Sequence, residues 1–248
     1  FYSGLLGNAM KTRCLGAVAV YVATGGHLEV SVDGGPWQER RIVALPAYVP
    51  HRLRTPDGRI ATVCLEPETV DREDLGALLS HVNDGPEDER LIRRILTARR
   101  EVTRIRDAGG FSTGEFDRYF LRRTLRPRAV DARIRHILDR LLDELPEATI
   151  SAGECAGDVG LSTSRFLHLF KENTDVAFRT QRMWKRARRF MDHANRDESL
   201  TDVALDLGYP DSSHFSHSIR ASFGLKPRSI RAGSRGMQVC IGENYVLS

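Results

Sequence analysis

The sequence predicts an α+β chain. A strand-rich N-terminal part forms a small β-barrel or sandwich, central helices follow, and an all-α C-terminal part holds two copies of one helical hairpin joined by a long helix. Three observations carry this. Leu28, Val30 and Val32 alternate with Glu29 and Ser31 before Asp33-Gly34-Gly35, the period of a half-buried strand entering a tight turn. Leu91, Ile95, Ala98, Val102 and Ile105 recur at helical spacing. From Ser151 to Arg231 one phrase occurs twice, and an internal repeat governs the rest of the reading.

The run from Ala17 to Val22 is apolar throughout, as is Ile42 to Leu45, and Ile60 to Leu65 follows the turn Pro56-Asp57-Gly58. With the alternating segment these make four or more short strands at the intervals of a small all-β unit. Tyr21, Trp37, Arg40, Tyr48, His51 and Arg52 are candidates to line a pocket that fixes a small effector through one or two polar contacts. The plainer reading makes the aromatics core and the arginines surface. The seam from Leu91 to Ile105 reads either as one side of a dimer contact or as a helix packed on its own strands. Gly109-Gly110 ends that element. A further helix from about Asp131 to Leu145, bracketed by Pro127 and Pro146, turns Ile134, Leu138, Leu141 and Leu145 inward.

The repeat can be built from local rules. In the first copy Thr149 or Ser151 caps a short helix with Ile150, Cys155, Ala156 and Val159 on its apolar side, and Gly160 supplies the left-handed backbone that ends it. Ser162 caps the next helix, which buries Phe166, Leu169 and Phe170 and turns Ser164, Leu167, His168 and Lys171 outward. In the second copy Ser199 caps, Val203, Ala204 and Leu207 bury, Gly208 stops and Asp211 caps again. Phe215, Ile219 and Phe223 then pack, while Ser212, Ser213, His214, Ser216, His217 and Arg220 face solvent. One such hairpin is common in helical proteins. Two in register are the form in which a second helix enters the major groove, where base edges differ.

Charge supports this by its location. The 248 residues carry a net charge of +4, which permits nucleic acid without requiring it. The connector between the copies holds Arg179, Arg182, Lys185, Arg186, Arg188 and Arg189 with no acid from Val176 to Met191. Arg220, Lys226, Arg228, Arg231 and Arg235 form a second acid-free group. A basic run is usually a solvated face, but between two reading heads some of these side chains are placed to neutralise phosphates: Lys171, Arg179, Arg186, Arg220 and Arg228 are the candidates. No stretch approaches the ~20 apolar residues of a membrane span. The four cysteines, Cys14, Cys64, Cys155 and Cys240, lack paired spacing, so reduced thiols and a cytoplasmic setting are expected. The opening Phe1-Tyr2-Ser3-Gly4 has neither a signal peptide's basic start nor an initiator methionine, so a few leading residues are expected to precede it.

Residues from about Ile150 to Arg231 resemble the DNA-binding domain of AraC/XylS-type transcription regulators. The resemblance is most specific in Gly208-Tyr209, Asp211-Ser212-Ser213-His214-Phe215 and Phe223-Gly224 followed by Pro227. It implies seven helices, double-stranded DNA as partner, and Ser164, Leu167, His168, Ser212, Ser213, His214, Ser216 and His217 at base-facing positions. It also implies contact with RNA polymerase, the seam from Leu91 to Ile105 carries the expectation of a homodimer, and neither enzymatic activity nor a cofactor is expected. Five positions depart from the pattern. Asp175 replaces a glycine, bulky Phe190 a small residue and Ile230 an aromatic, while Gln181 and Lys185 stand where apolar residues are usual.

Pro46-Ala47-Tyr48-Val49-Pro50-His51 resembles the corresponding turn of a cupin barrel, a sensor unit commonly attached to such domains. A metal-binding cupin carries a His-x-His pair and a glutamate. Here Thr12-Arg13-Cys14 stands near the place of the pair and only His51 remains, so no metal is expected. The expected organisation is a cupin-like sensor over 1–67, a helical linker with a dimer seam over 68–128, the DNA-binding domain over 129–235 and a tail over 236–248. Two alternatives stay open at this level: a cupin-type enzyme or metal-binding protein whose helical part serves oligomerisation, and a regulator that answers to a partner protein instead of a small effector.

Overall fold

A computed structural model describes residues 2–5, 11–107, 113–143, 150–194 and 196–234. Seven strands come first: β1 (Tyr2–Leu5), β2 (Val18–Ala23), β3 (Leu28–Val32), β4 (Gln38–Arg40), β5 (Ile42–Leu45), β6 (His51–Arg54) and β7 (Arg59–Leu65). Three helices follow, α1 (Arg72–Asn83), α2 (Glu89–Asp107) and α3 (Thr113–Leu121). Then come α4 (Ala132–Asp143), α5 (Ala152–Asp158), α6 (Thr163–Thr174), α7 (Phe178–His193), α8 (Leu200–Asp206), α9 (Ser212–Phe223) and α10 (Pro227–Ser234). From α4 onward these are the seven helices the resemblance implies.

The strands make two antiparallel sheets, ordered β1-β7-β2-β5 and β4-β3-β6. Among the described residues no strand pairing closes them into a barrel. Asp33 and Gly34 both take positive φ, 49° and 74°, in a tight turn closed by the Gly35 N–H donating to the Val32 carbonyl at 2.8 Å, within the loop that joins β3 to β4. The larger sheet is buried on both faces, which is why β2 reads as an unbroken apolar run. Ala19, Tyr21, Val43, Leu45 and Ile60 share a core with Leu28, Val30 and Leu53 of the smaller sheet. On the other face Val18, Val20, Val22, Ile42, Ala44, Ala61 and Val63 are covered by α1, α2 and α3. Asn83 of α1 finishes the β5 edge, accepting from the Ala44 N–H at 3.0 Å and donating to its carbonyl at 2.8 Å.

That arrangement settles part of the seam on α2. Leu91, Ile95 and Ala98 are buried against the chain's own sheet, so they are not available as a dimer surface, and the helix-on-strands reading holds for them. The side chains of Val102 and Ile105 lie outside the described residues, as do Gly109 and Gly110. Described residues of α1, α2 and α3 thus share one core with the larger sheet. Helix α4 buries Ile134, Leu138 and Leu141 as expected, and Leu145 and Pro146 lie outside the described residues.

Candidate nucleic-acid interface

The two copies of the repeat use the same backbone device. Ser151 caps α5 in a full capping box with Glu154, and Ser199 caps α8 through the Thr201 N–H. Each short helix ends on a left-handed glycine, Gly160 at φ 65° and Gly208 at φ 70°. In both, the residue after the glycine donates back to an alanine carbonyl, Leu161 to Ala156 at 2.8 Å and Tyr209 to Ala204 at 2.9 Å. The second helices start on Ser162, which accepts from the Arg165 N–H, and on Asp211, which accepts from the Ser213 and His214 N–H groups.

Each hairpin has its own core. The first packs Phe166 and Phe170 against Phe178, with ring centroids 5.2 and 5.3 Å apart. The second packs Phe190, Tyr209, Phe215, Ile219 and Ile230 together. Two departures from the family pattern are explained here. Phe190 meets Phe215 edge-on at 5.2 Å, and Ile230 closes the same core.

With those residues inward, the opposite faces are open. On α6, Ser164, Leu167 and His168 are exposed, Leu167 unusually so for a leucine at 40%. On α9, Ser212, Ser213, His214 and His217 are exposed and Ser216 is half-buried. His168 lies 3.0 Å from Glu172, and His214 lies 2.8 Å from the capping Asp211. Aligned on Phe166 and Phe215, the outward positions 164, 167, 168 and 171 correspond to 213, 216, 217 and 220.

The connector α7 divides its cations between two tasks. Arg179 is exposed and Arg186 is half-buried over the Tyr209 ring at 5.4 Å, and both remain on the helical side. Arg182 caps the Ile150 carbonyl. Lys185 and Arg188 instead turn to the N-terminal unit. Lys185 Nζ lies 3.0 Å from Glu66 and 2.5 Å from Glu68, and Arg188 Nε lies 3.1 Å from Glu66. Gln181 donates to Glu68 at 2.7 Å and accepts from the Tyr48 hydroxyl at 2.6 Å. Trp184 donates to Glu66 at 3.2 Å and enters the core between the sheets. Gln181 and Lys185 are thus polar for a physical reason: this face of the connector meets two buried carboxylates at the end of β7. Lys171 and Arg228 are exposed, and Arg220 is half-buried.

Electrostatics in this buried group are mutual. Burial pushes the Glu66 carboxyl up, but Lys185 and Arg188 overcome it and hold the group below its ordinary range. Burial outweighs Lys185 at Glu68, whose carboxyl is raised. Burial acts to lower Lys185, yet the two carboxylates overcome it and raise the ammonium.

Asp175, the remaining departure, does what a glycine would do. It takes the left-handed C-cap of α6 at φ 64°, a conformation that aspartate tolerates better than most residues. Its carboxylate then accepts from Arg72 at 2.7 Å and from buried Arg128 at 2.8 Å, joining α6 to the N-terminal unit.

The six effector-pocket candidates separate. Tyr21 and His51 are buried together, the phenol donating to His51 Nε2 at 2.9 Å while Nδ1 donates to the Val49 carbonyl at 2.8 Å. Tyr48, at φ 61°, turns to α7. Trp37 is not in their shared core; its ring lies beneath Arg52 and Arg54, 5.1 and 4.6 Å from the guanidinium carbons. Arg40 is exposed. No group of three or more metal-ligating side chains occurs among the described residues. No described helix is long and apolar enough to cross a membrane.

Residues 155–233 match a family model described as a helix-turn-helix domain. The HTH-type transcriptional activator RhaS of Escherichia fergusonii is 35% identical over 108 residues, 42% of this chain and 37% of RhaS. The bifunctional transcriptional activator/DNA repair enzyme Ada of Escherichia coli is 29% identical over 100 residues, 40% of this chain and 28% of Ada. The chain thus spans little more than a third of RhaS and 28% of Ada. A crystal structure of apo ToxT from Vibrio cholerae is similar over 90% of this chain and 92% of its own, with a TM-score of 0.50 and 10% identity, a likeness of fold.

Proposed function

We propose that this chain is an AraC/XylS-type regulator that binds a specific double-stranded DNA site with both second helices in successive major-groove segments. The observation that carries this is the pair of open faces on α6 and α9, built by the same caps and glycine turns on either side of one 16-residue helix. In this reading His168, His214 and His217, with Ser164, Leu167, Ser212, Ser213 and Ser216, read base edges. Lys171, Arg179, Arg186, Arg220 and Arg228 set register on phosphates.

The N-terminal two-sheet unit with α1 to α3 acts as the sensor, of cupin-like type, and the 129–235 segment as the reader. The group around Lys185 supports their coupling, since the helix that spaces the recognition helices is the one gripped by Glu66 and Glu68. An effector shifts DNA binding to the extent that it prefers one arrangement of this contact over another. Activation through RNA polymerase and assembly as a homodimer, carried by surfaces other than Leu91, Ile95 and Ala98, complete the proposal.

Selection of bound fragments from random DNA tests it. Recovery of a bipartite site with its halves about one turn, ~34 Å, apart supports the reading. With four to six phosphates neutralised, log affinity should fall with log salt at a slope of roughly −4 to −5. Absence of any enriched sequence, or affinity indifferent to salt, would refute it.

A further inference from the structure

The two second helices match residue for residue. Each is 12 residues long, and with Thr163 laid on Ser212 the last residues, Thr174 and Phe223, coincide. The N-caps Ser162 and Asp211 then coincide, as do the left-handed C-caps, Asp175 at φ 64° and Gly224 at φ 72°. Each C-cap N–H donates to an equivalent carbonyl, that of Lys171 in α6 and of Arg220 in α9. Phe166 and Phe215 fall on one place, and both are buried.

With backbone and core in step, the outward residues can be compared place by place. Ser164 and Ser213 share one place and His168 and His217 another, all four exposed. Lys171 and Arg220 keep a cation at a third. The heads differ where Leu167, 40% exposed, stands opposite half-buried Ser216. They differ again at exposed Arg165, opposite His214, whose ring is turned to its own cap Asp211 at 2.8 Å.

These identities decide which bases suit each head. The Nε2 of His168 lies 3.0 Å from the Glu172 carboxylate, which only accepts, so that nitrogen carries a proton. The two side chains are 66% and 55% exposed, and a surface contact of this kind is too weak to hold the ring against a competing base. In the major groove guanine alone presents two acceptors, N7 and O6, without a donor, which suits an imidazole N–H; adenine and cytosine place an amino group there. A serine hydroxyl serves as donor or acceptor and selects little by itself. An exposed leucine finds its apolar partner in the thymine methyl.

We infer that the chain recognises a repeated site, in which one guanine faces His168 in the first half and a matching guanine faces His217 in the second, while a thymine meets Leu167 in the first half alone. The Ser/His pair common to both heads sets what the halves share. Leu167 marks which half the first head takes. This inference rests on the proposed regulator function and names the base pattern it recognises.

The test uses the full chain and the duplex it enriches from random DNA. That duplex should hold two halves with a guanine at matching positions, in direct or inverted order. Replacing either guanine by 7-deazaguanine, which lacks the N7 acceptor, should weaken binding about threefold to tenfold. His168→Ala should make binding indifferent to that change in one half, and His217→Ala in the other. Replacing the thymine by deoxyuridine, which lacks the methyl, should weaken binding about threefold for the parent chain and leave Leu167→Ser unaffected. The parent-chain measurements alter only the DNA, so they ask no variant to fold. An enriched site whose halves share no guanine, or one in which the parent chain tolerates 7-deazaguanine in both halves, would overturn the inference and leave the regulator reading standing. A deoxyuridine effect that persists in Leu167→Ser would overturn the part given to Leu167. Absence of any enriched sequence would overturn both the inference and the regulator reading.

Discussion

Lys185 of the connector helix lies with its ammonium between Glu66 and Glu68, 3.0 and 2.5 Å away, and all three side chains are less than a tenth exposed. The contact joins the helix that spaces the two reading heads to the last strand of the N-terminal unit. Ions removed from water in this way tolerate the loss of a single partner poorly.

Lys185→Met should therefore destabilise the folded chain by about 3 to 5 kcal/mol, leaving two carboxylates against Arg188 alone. Lys185→Met combined with Glu68→Gln should recover part of that loss, because the charge left uncompensated is smaller. Urea unfolding of the two single variants and the double variant gives the coupling directly. Additive losses would show that Lys185 and Glu68 do not act together.

Gly16 tests the same seam without touching a charge. A Cβ there would fall 2.3 Å from Trp184 Cγ, far inside contact distance. Gly16→Ala should displace the indole from the core between the sheets, shift its emission to longer wavelength, and lower stability by about 1 to 3 kcal/mol. Emission unchanged from the parent chain would mean that the indole is not held against Gly16.

His51 carries a pH dependence with a defined sign. Its folded pKa, about 4 because burial disfavours the imidazolium, is below the ordinary 6.5. The stabilisation is complete above pH 6.5 and is lost as pH falls towards 4. The expected slope is at most about 1.4 kcal/mol per pH unit. His51→Gln, which can keep a donor and an acceptor in place, should flatten the curve in that window. Parallel curves for parent and variant would contradict the assignment.

Asp175 combines a left-handed backbone with a link to Arg128. Asp175→Asn, which keeps the backbone preference, should cost less than Asp175→Ala, which loses both features, the latter by about 1 to 3 kcal/mol. Chemical denaturation of the pair orders them, and equal costs would assign the whole effect to the charge.

The caps, the glycine stops and the outward faces of α6 and α9 were legible because each depends on residues a few positions apart. Ser151, Ser162, Ser199, Asp211, Gly160 and Gly208 all sit where local chemistry places them. The strands Val18–Ala23, Leu28–Val32, Ile42–Leu45 and Arg59–Leu65 were legible for the same reason. What escaped depends on distant partners. Gln181 and Lys185 look misplaced on an amphipathic helix until Glu66 and Glu68, more than a hundred residues earlier, arrive beside them. Helix α1 has a weak apolar stripe, and its cap Asp71 was the signal available. The short strand β6 carries arginines at alternate positions, which masked its half-buried pattern. Arg13 gave no sign of burial, since the docking of Gly224 and the pairing with His51 come from distant parts of the chain.

The central claim is that each open face reads its own half of one DNA site. The most direct measurement is the affinity of His168→Ala and His217→Ala for duplexes in which one half of the selected site at a time is scrambled. The account predicts that each substitution weakens the intact site by about 1 to 3 kcal/mol and abolishes discrimination in one half only, a different half for each. Both substitutions degrading the same half, or weakening all duplexes equally, would contradict it.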